Sequence, residues 1–575
     1  MKMLKSKKIN SLQLLFSTLP QSKVITIFIW TGLIPLAIIL SYAILHSLMV
    51  LCAIVVSAVC AILFFRPEWG LYLLIGLVPF QLFPMAFFSS DYSWSIAQLL
   101  VKFLFVVTVF RIIQSRKFCF PHSSLNVWIL LFTFVSISST VNTSDLREHI
   151  KGTIPKVIDL FLLYFVVSYL VDTKKKLQIV VNIFLVVSFL VTSLGILQIF
   201  GKIEILERYL QSDMVSLFVG PGYAEIRTEM MLSGIEKDRF KDVVSLFVNH
   251  SDYGGFLLYS FPLALGLFVT EKKSKIKFFY GSLAFLFGMN ILFSLARSAW
   301  LGLFAIAVFF AIVAFRHNVR FIVLLFCAII GIISCVWFME VSYHSFLPSS
   351  IQERFQSTVL QGERSNSFQI RLGWWLESIQ LVFRTPLTVL FGTTILFKTH
   401  NLYIQTLLLF GSLGLFTLFC ILLSALHKLY KSFRSSNDSY LQGISFGACA
   451  GLIGLIVHSL LWNDLYYVPS NDMLFAVFLG LATVLPTLSG HQEISNGNIR
   501  HYNQTSSINN INSYQFMNGI IISLALIIAM LANIAVIFFE FSPFDIFSYA
   551  ALLVIILLVF IETGAKAKIS TNRGA

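Results

Sequence analysis

The residues best suited to chemistry stand where one helix should begin. His400 and Asn401 precede the apolar run Leu402–Phe410, and Gly411 and Gly414 follow it. An imidazole at the first turn of a helix meets the positive end of the helix dipole, which disfavours imidazolium and leaves the ring able to accept a proton. The same helix end favours an anion such as phosphate, and Thr399 or Asn401 can cap it. Gly411 lies 11 residues beyond His400, about 16 Å along a straight helix. With Gly414 it would form a small-residue face that a neighbouring helix can approach closely. On these residues alone, an interfacial histidine above a helix-packing glycine pair explains the segment as well as a catalytic base does.

Arginines supply the cations. A guanidinium forks onto phosphate oxygens and stays charged, a capacity to bind phosphate that Arg297 and Arg371 share with Arg354, Arg364 and Arg384. Each has a plainer reading: Arg297 as a headgroup anchor beside Trp300, and Arg371 as the partner of Glu377. Arg364, Arg384 and Trp374 are weaker candidates in the same long connection. Residues 368–383 carry apolar positions at the spacing of a helix lying on a membrane surface, which makes Trp374 and Trp375 interface anchors before sugar platforms. Tyr403 and Gln405 could face an acceptor. Asp242 and Asp252 read as solvated or paired acids, and Asp159, the clearest acid within an apolar span, as one near the end of its helix, solvated or paired.

Signatures of soluble enzymes are missing from the sequence: there is no phosphate-binding glycine loop with its lysine, no His-Glu-x-x-His and no dinucleotide fingerprint. Of the seven cysteines, six fall in apolar spans and Cys119 in a basic connection, so neither a disulfide framework nor paired metal-ligand spacing is expected. The reading calls for no metal and no cofactor.

The elements that must position these groups follow from composition. At 575 residues, 57% hydrophobic and 12% charged, with a mean hydropathy of +0.84, the chain is far from the balance of a water-soluble domain. Apolar runs of spanning length occur near 25–45, 47–65, 69–88, 94–113, 124–141, 156–171, 177–200, 253–270, 276–294, 299–315, 320–338, 402–426, 440–461, 470–488, 517–539 and 546–562. The expectation is an all-α, polytopic transmembrane helical bundle of about 16 spans with both termini cytoplasmic. Alternate connections are basic (Arg111, Arg116 and Lys117; Lys174 to Lys176; Lys272 to Lys277; Arg316 and Arg320; Lys428 to Arg434; Lys566 to Arg573), whereas 89–93, 462–469 and 540–545 have no Lys or Arg. Two long connections, 201–252 and 339–401, then fall outside. Residues 1–488 form the main bundle with these outer loops, 489–515 a cytoplasmic Asn- and Ser-rich linker, and 516–575 a two-helix appendage with a basic tail.

The net charge of +14 divides by side. Cytoplasmic segments hold 25 Lys and Arg against 6 acids, outer segments 15 against 20, and Lys102 and Asp159 cancel within spans. The excess is an orientation signal, so nucleic acid is not an expected partner, and Arg297 and Arg371 would act locally on a net acidic face.

His400-Asn401, nine residues, Gly411, two residues and Gly414 resembles the signature of the O-antigen ligase family of bacterial membrane proteins, which takes in related O-antigen polymerases. Three further stretches are similar to the family. Ser294-Leu295-Ala296-Arg297-Ser298 with Gly302 resembles its Ser-x-x-Arg-Ser segment. Arg371-Leu372-Gly373-Trp374-Trp375, followed by Arg384-Thr385-Pro386-Leu387 and Gly392, resembles its Arg–Trp helix and the turn after it. Phe247-Val248-Asn249-His250 resembles the Asn-rich start of an earlier span. The likeness covers about 240–420.

The resemblance implies a fold similar to integral-membrane glycosyltransferases and a lipid-linked glycan transferase, metal-independent, at the outer face of the cytoplasmic membrane. The donor would be a glycan on undecaprenyl pyrophosphate. The acceptor would be a sugar hydroxyl, on lipid A–core for a ligase or on a growing glycan for a polymerase, with membrane lipids around both. His400 would be the general base and Arg297 and Arg371 the pyrophosphate ligands, since such a transfer needs a base at the acceptor and cations on the departing charge. A transporter is the reading from a different class; the few ionisable groups within spans count against it.

Overall fold

The computed structural model describes residues 59–80, 84–85, 94–115, 123–143, 149, 153–199, 245–247, 249–315, 366–393, 399–462 and 469–495. Among them the chain is helical apart from turns, short connections and one two-residue antiparallel pairing, Pro84 with Ser95 and Met85 with Trp94. Residues up to Trp69 form one unit, of which 59–69 are described, and the chain from Gly70 onward forms a second.

The helices are α1 (Pro67–Leu77), α2 (Ile96–Ser115), α3 (Ser124–Ser138, continued by a 3-10 turn to Asn142), α4 (Ile154–Leu170), α5 (Lys174–Ile199), α6 (His250–Thr270), α7 (Ser274–Phe293), α8 (Arg297–Phe315), α9 (Asn366–Val382), α10 (Pro386–Phe391), α11 (Leu402–Ser435), α12 (Ser439–His458) and α13 (Pro469–Ser495). Side-chain oxygens start several of them by accepting from the free N–H groups of the first turn: Ser123 for α3, Asn249 for α6, Asn401 for α11 and Asp438 for α12. Thr385 and Thr388 close a reciprocal capping box at α10.

Among the described residues, seven helical segments are long and apolar enough to cross a membrane: Ser124–Asn142, Lys174–Gln198, His250–Thr270, Ser274–Phe293, Leu402–Ser435, Ser439–His458 and Asn471–Gly490. They fall on seven of the ranges expected from hydropathy. The expected spans near 25–45, 320–338, 517–539 and 546–562 lie outside the described residues, as do most of 201–252, 339–365 and 496–575. Helix α13 runs to Ser495, seven residues into the stretch read as a linker.

α12 is the axis of the second unit, with α6, α8 and α11 packed along it. Glycines allow the approach to α6: a Cβ on Gly266 would stand 2.8 Å from the backbone nitrogen of Gly447. Elsewhere α2 and α4 are joined by an ion pair, Lys102 Nζ to Asp159 Oδ1 at 2.5 Å, with both side chains buried. Asp159 is thus neither solvated nor at the end of its helix but paired within the packed bundle.

α11 is not one straight helix. Gly411 adopts φ 67°, ψ −167°, which breaks the regular path between Leu402–Phe410 and Ser412–Ser435. Tyr403 and Phe419 show how sharp the bend is. On a straight helix they would be about 24 Å apart, yet their rings stack with centroids 5.4 Å apart. The arm before Gly411 therefore folds back.

The bend is shaped by α10. A Cβ on Gly411 would collide with the carbonyl of Leu390, and Gly392 is itself left-handed at φ 77° with the Leu409 backbone 2.5 Å from where its Cβ would be. The Leu408 carbonyl accepts the Thr393 N–H at 2.6 Å, and Asn142 Nδ2 donates to Gly392 O at 2.8 Å. The expectation that Gly411 and Gly414 form a helix-packing face is therefore corrected: Gly411 makes a break, and Gly414 is small because the break brings the Phe410 Cβ over it.

Two measurements test this packing. Gly411→Ala and Gly392→Ala should each cost about 2–4 kcal/mol, and less together than their sum, because both disturb one contact; additive losses in thermal midpoint would contradict the shared junction. Lys102→Met should cost about 3–5 kcal/mol, and Lys102→Met with Asp159→Leu much less; a single variant as stable as the double would dismiss the buried pair.

Candidate functional site

His400 stands between two fixed neighbours and has a left-handed backbone, φ 52°. Thr399 on one side accepts the Trp375 indole N–H on its carbonyl at 2.6 Å. The Thr399 N–H and hydroxyl both donate to Gln405 Oε1 at 3.1 Å. Asn401 on the other side accepts from Tyr403 N and Ile404 N through Oδ1, and donates through Nδ2 to Leu460 O at 2.8 Å. Held from both sides, the chain can keep a conformation that a non-glycine residue adopts at a cost. Among the described residues only Ser245, Leu295 and His400 are non-glycines with positive φ, and Leu295 lies two residues before Arg297.

Two indoles flank the half-buried imidazole. Trp374 lies 5.8 Å from it between ring centroids at 29°, and Trp462 4.9 Å at 31°. Trp374, expected as an interface anchor, is turned to His400, while Trp375 holds Thr399. Tyr403 and Gln405 turn inward: the Tyr403 hydroxyl donates to Ile456 O at 2.7 Å, and Gln405 is occupied by Thr399.

Arg371 reaches the same place from α9, donating through its guanidinium to Leu461 O at 3.3 Å. It binds this carbonyl and not Glu377, which is exposed. Burial, and after it the charge of Arg297, lower the Arg371 pKa. Arg297, exposed at the first residue of α8, is thus within electrostatic range of Arg371, and both act on His250 at the first residue of α6. Two guanidiniums held in range of each other favour an anion between them. Arg384 is exposed beyond the far end of α9, 13 residues from Arg371 and about 20 Å along the axis, which removes it from this cluster. Arg364 lies outside the described residues, with Arg354 and Asp242.

The positive helix end is already used. Leu402 N donates to Ser459 O at 3.0 Å, Tyr403 N and Ile404 N bind Asn401, and Gln405 N binds Asn401 O. The first turn of α11 thus abuts the carbonyl end of α12, head to tail, and its N–H groups are taken by protein. The expected helix-terminus anion site is therefore filled from within, and the guanidiniums are the groups that can meet an anion. A small cavity of about 20 Å³ lies beside Leu402, lined mainly by apolar side chains, among them Tyr259, Leu455, Ile456 and Phe475.

Three residues belong to this site that sequence reasoning did not assign: His250, Asp252 and Trp462. Asp252, buried in the first turn of α6, accepts the Trp462 indole N–H at 2.8 Å on Oδ1, and its carbonyl accepts Asn471 Nδ2 at 3.2 Å. An acid in a first helical turn and a tryptophan at a span end are ordinary features, so only their meeting across 210 residues distinguishes them. Among the described residues, no three His, Cys, Asp or Glu side chains gather as metal ligands would.

Compared with models of known protein families and with curated proteins, the chain finds no match.

Proposed function

We propose that this chain is a membrane-embedded glycan transferase of the O-antigen ligase type, acting on a glycan carried by undecaprenyl pyrophosphate. The observation that carries the reading is that His400 and Arg371 converge on Leu461-Trp462, with Arg297 of a third helix in electrostatic range of Arg371. In this reading His400 takes the proton of an acceptor hydroxyl as its oxygen attacks the anomeric carbon. The bond from that carbon to the pyrophosphate breaks, and the guanidiniums meet the charge left on the phosphate.

The reading places the site at the outer face of a bacterial cytoplasmic membrane, on a bundle of about 16 spans. Support comes from the basic groups of 174–176, 272–277 and 428–434, which stand at the helix ends remote from His400, as a cytoplasmic side requires. The acceptor is lipid A–core for a ligase; a growing glycan would make the protein a polymerase. The buried Lys102–Asp159 pair is the one observation that favours a transporter instead, and dependence of activity on an ion gradient would revive that reading.

His400→Ala and Arg297→Ala should each reduce glycan transfer by roughly 10²–10⁴-fold while leaving membrane insertion intact. Purified protein supplied with a lipid-linked oligosaccharide and either lipid A–core or a second lipid-linked chain checks this and names the acceptor. Full transfer by either variant would sink the assignment.

A further inference from the structure

We infer that Trp462, fixed by Asp252, is the positioning residue for the His400 imidazole; this rests on the reading of His400 as the base. Trp374 and Trp462 flank the same ring, but they are held differently. Trp374 belongs to α9, whose backbone sets its direction. Trp462 follows the last turn of α12, where Leu460 N and Leu461 N bind Val457 O and His458 O, and is itself outside the helix. Its indole plane is set by the bond from Nε1 to Asp252 Oδ1 at 2.8 Å. Asp252 is firmly seated, buried in α6 with its carbonyl bound by Asn471 of α13.

The dipeptide Leu461-Trp462 touches both reacting groups. Its Leu461 carbonyl takes the Arg371 guanidinium at 3.3 Å, and its Trp462 ring lies 4.9 Å from the imidazole. A turn of the Trp462 indole would therefore move the base relative to the arginine that meets the leaving group. Small displacements of this kind lower the rate of the chemical step more than substrate affinity.

The test uses the full chain in lipid nanodiscs, with Trp462→Phe, Asp252→Ala and Asp252→Asn. Trp462→Phe keeps a ring but loses the N–H, Asp252→Ala removes the acceptor, and Asp252→Asn keeps an amide oxygen that can accept. Transfer from a lipid-linked oligosaccharide should show kcat lower by roughly 10–100-fold in Trp462→Phe and Asp252→Ala with donor KM little changed, and Asp252→Asn should recover most of the loss. A second readout does not depend on transfer. Of the indole N–H resonances from the 9 tryptophans, the one lost in Trp462→Phe should shift in Asp252→Ala and in His400→Ala.

Wild-type kcat in both Trp462→Phe and Asp252→Ala would overturn the inference, as would an indole resonance indifferent to Asp252 and His400. A loss of kcat in Asp252→Ala that Asp252→Asn does not recover would also count against it. If the wild-type protein transfers to neither acceptor, the functional reading fails, and the indole shifts alone then decide whether Asp252 and Trp462 hold His400.

Discussion

At Gly411 the backbone takes a conformation that a side chain would forbid, and the arrangement of the His400 end follows from it. The spanning arm of α11 lies antiparallel to α12: Ser432 meets Ser445, and the Leu426 carbonyl meets Cys449. Continued without a break, that register would carry Leu402 about 21 Å past Ser459. The break returns it, and Leu402 N bonds Ser459 O. Only then can the imidazole on the bent arm meet the indole that follows α12. Arg371 depends on the same junction, since the carbonyl it binds is Leu461.

The electrostatics of the site differ from those of an exposed basic patch. Arg371 is half-buried and bound to a neutral carbonyl, and the charge that acts on it is that of another arginine. The α11 terminus adds little to that field, because its N–H groups meet Asn401 and the carbonyl of Ser459. Affinity for an anion would then reside in two guanidiniums and would weaken with salt, most strongly at the exposed Arg297.

Features written in short stretches of sequence were legible. The apolar runs, the capping by Asn401 and the separation of basic connections from the His400 end follow from local spacing. Gly411 and Gly414 were misread because glycines three apart look alike on a packing face and at a break; the difference lies in Leu390–Gly392, about 20 residues earlier. The partner of Asp159 was hidden for the same reason, Lys102 being 57 residues away. Trp374 was assigned to the membrane surface from the period of its helix. Period locates a face but does not say what covers it, and here His400 does.

The head-to-tail joint between α12 and the bent arm also has a mechanical side. Hydrogen bonds cross it from Leu402 N to Ser459 O and from Asn401 Nδ2 to Leu460 O, so a tilt of α12 carries the bent arm with it. The same helix is in close contact with α6 and α8, which bear His250 and Arg297. Tension or thickness changes in the surrounding bilayer that tilt α12 would move His400 and these residues together, and the spacing among them would be insulated from the state of the lipid.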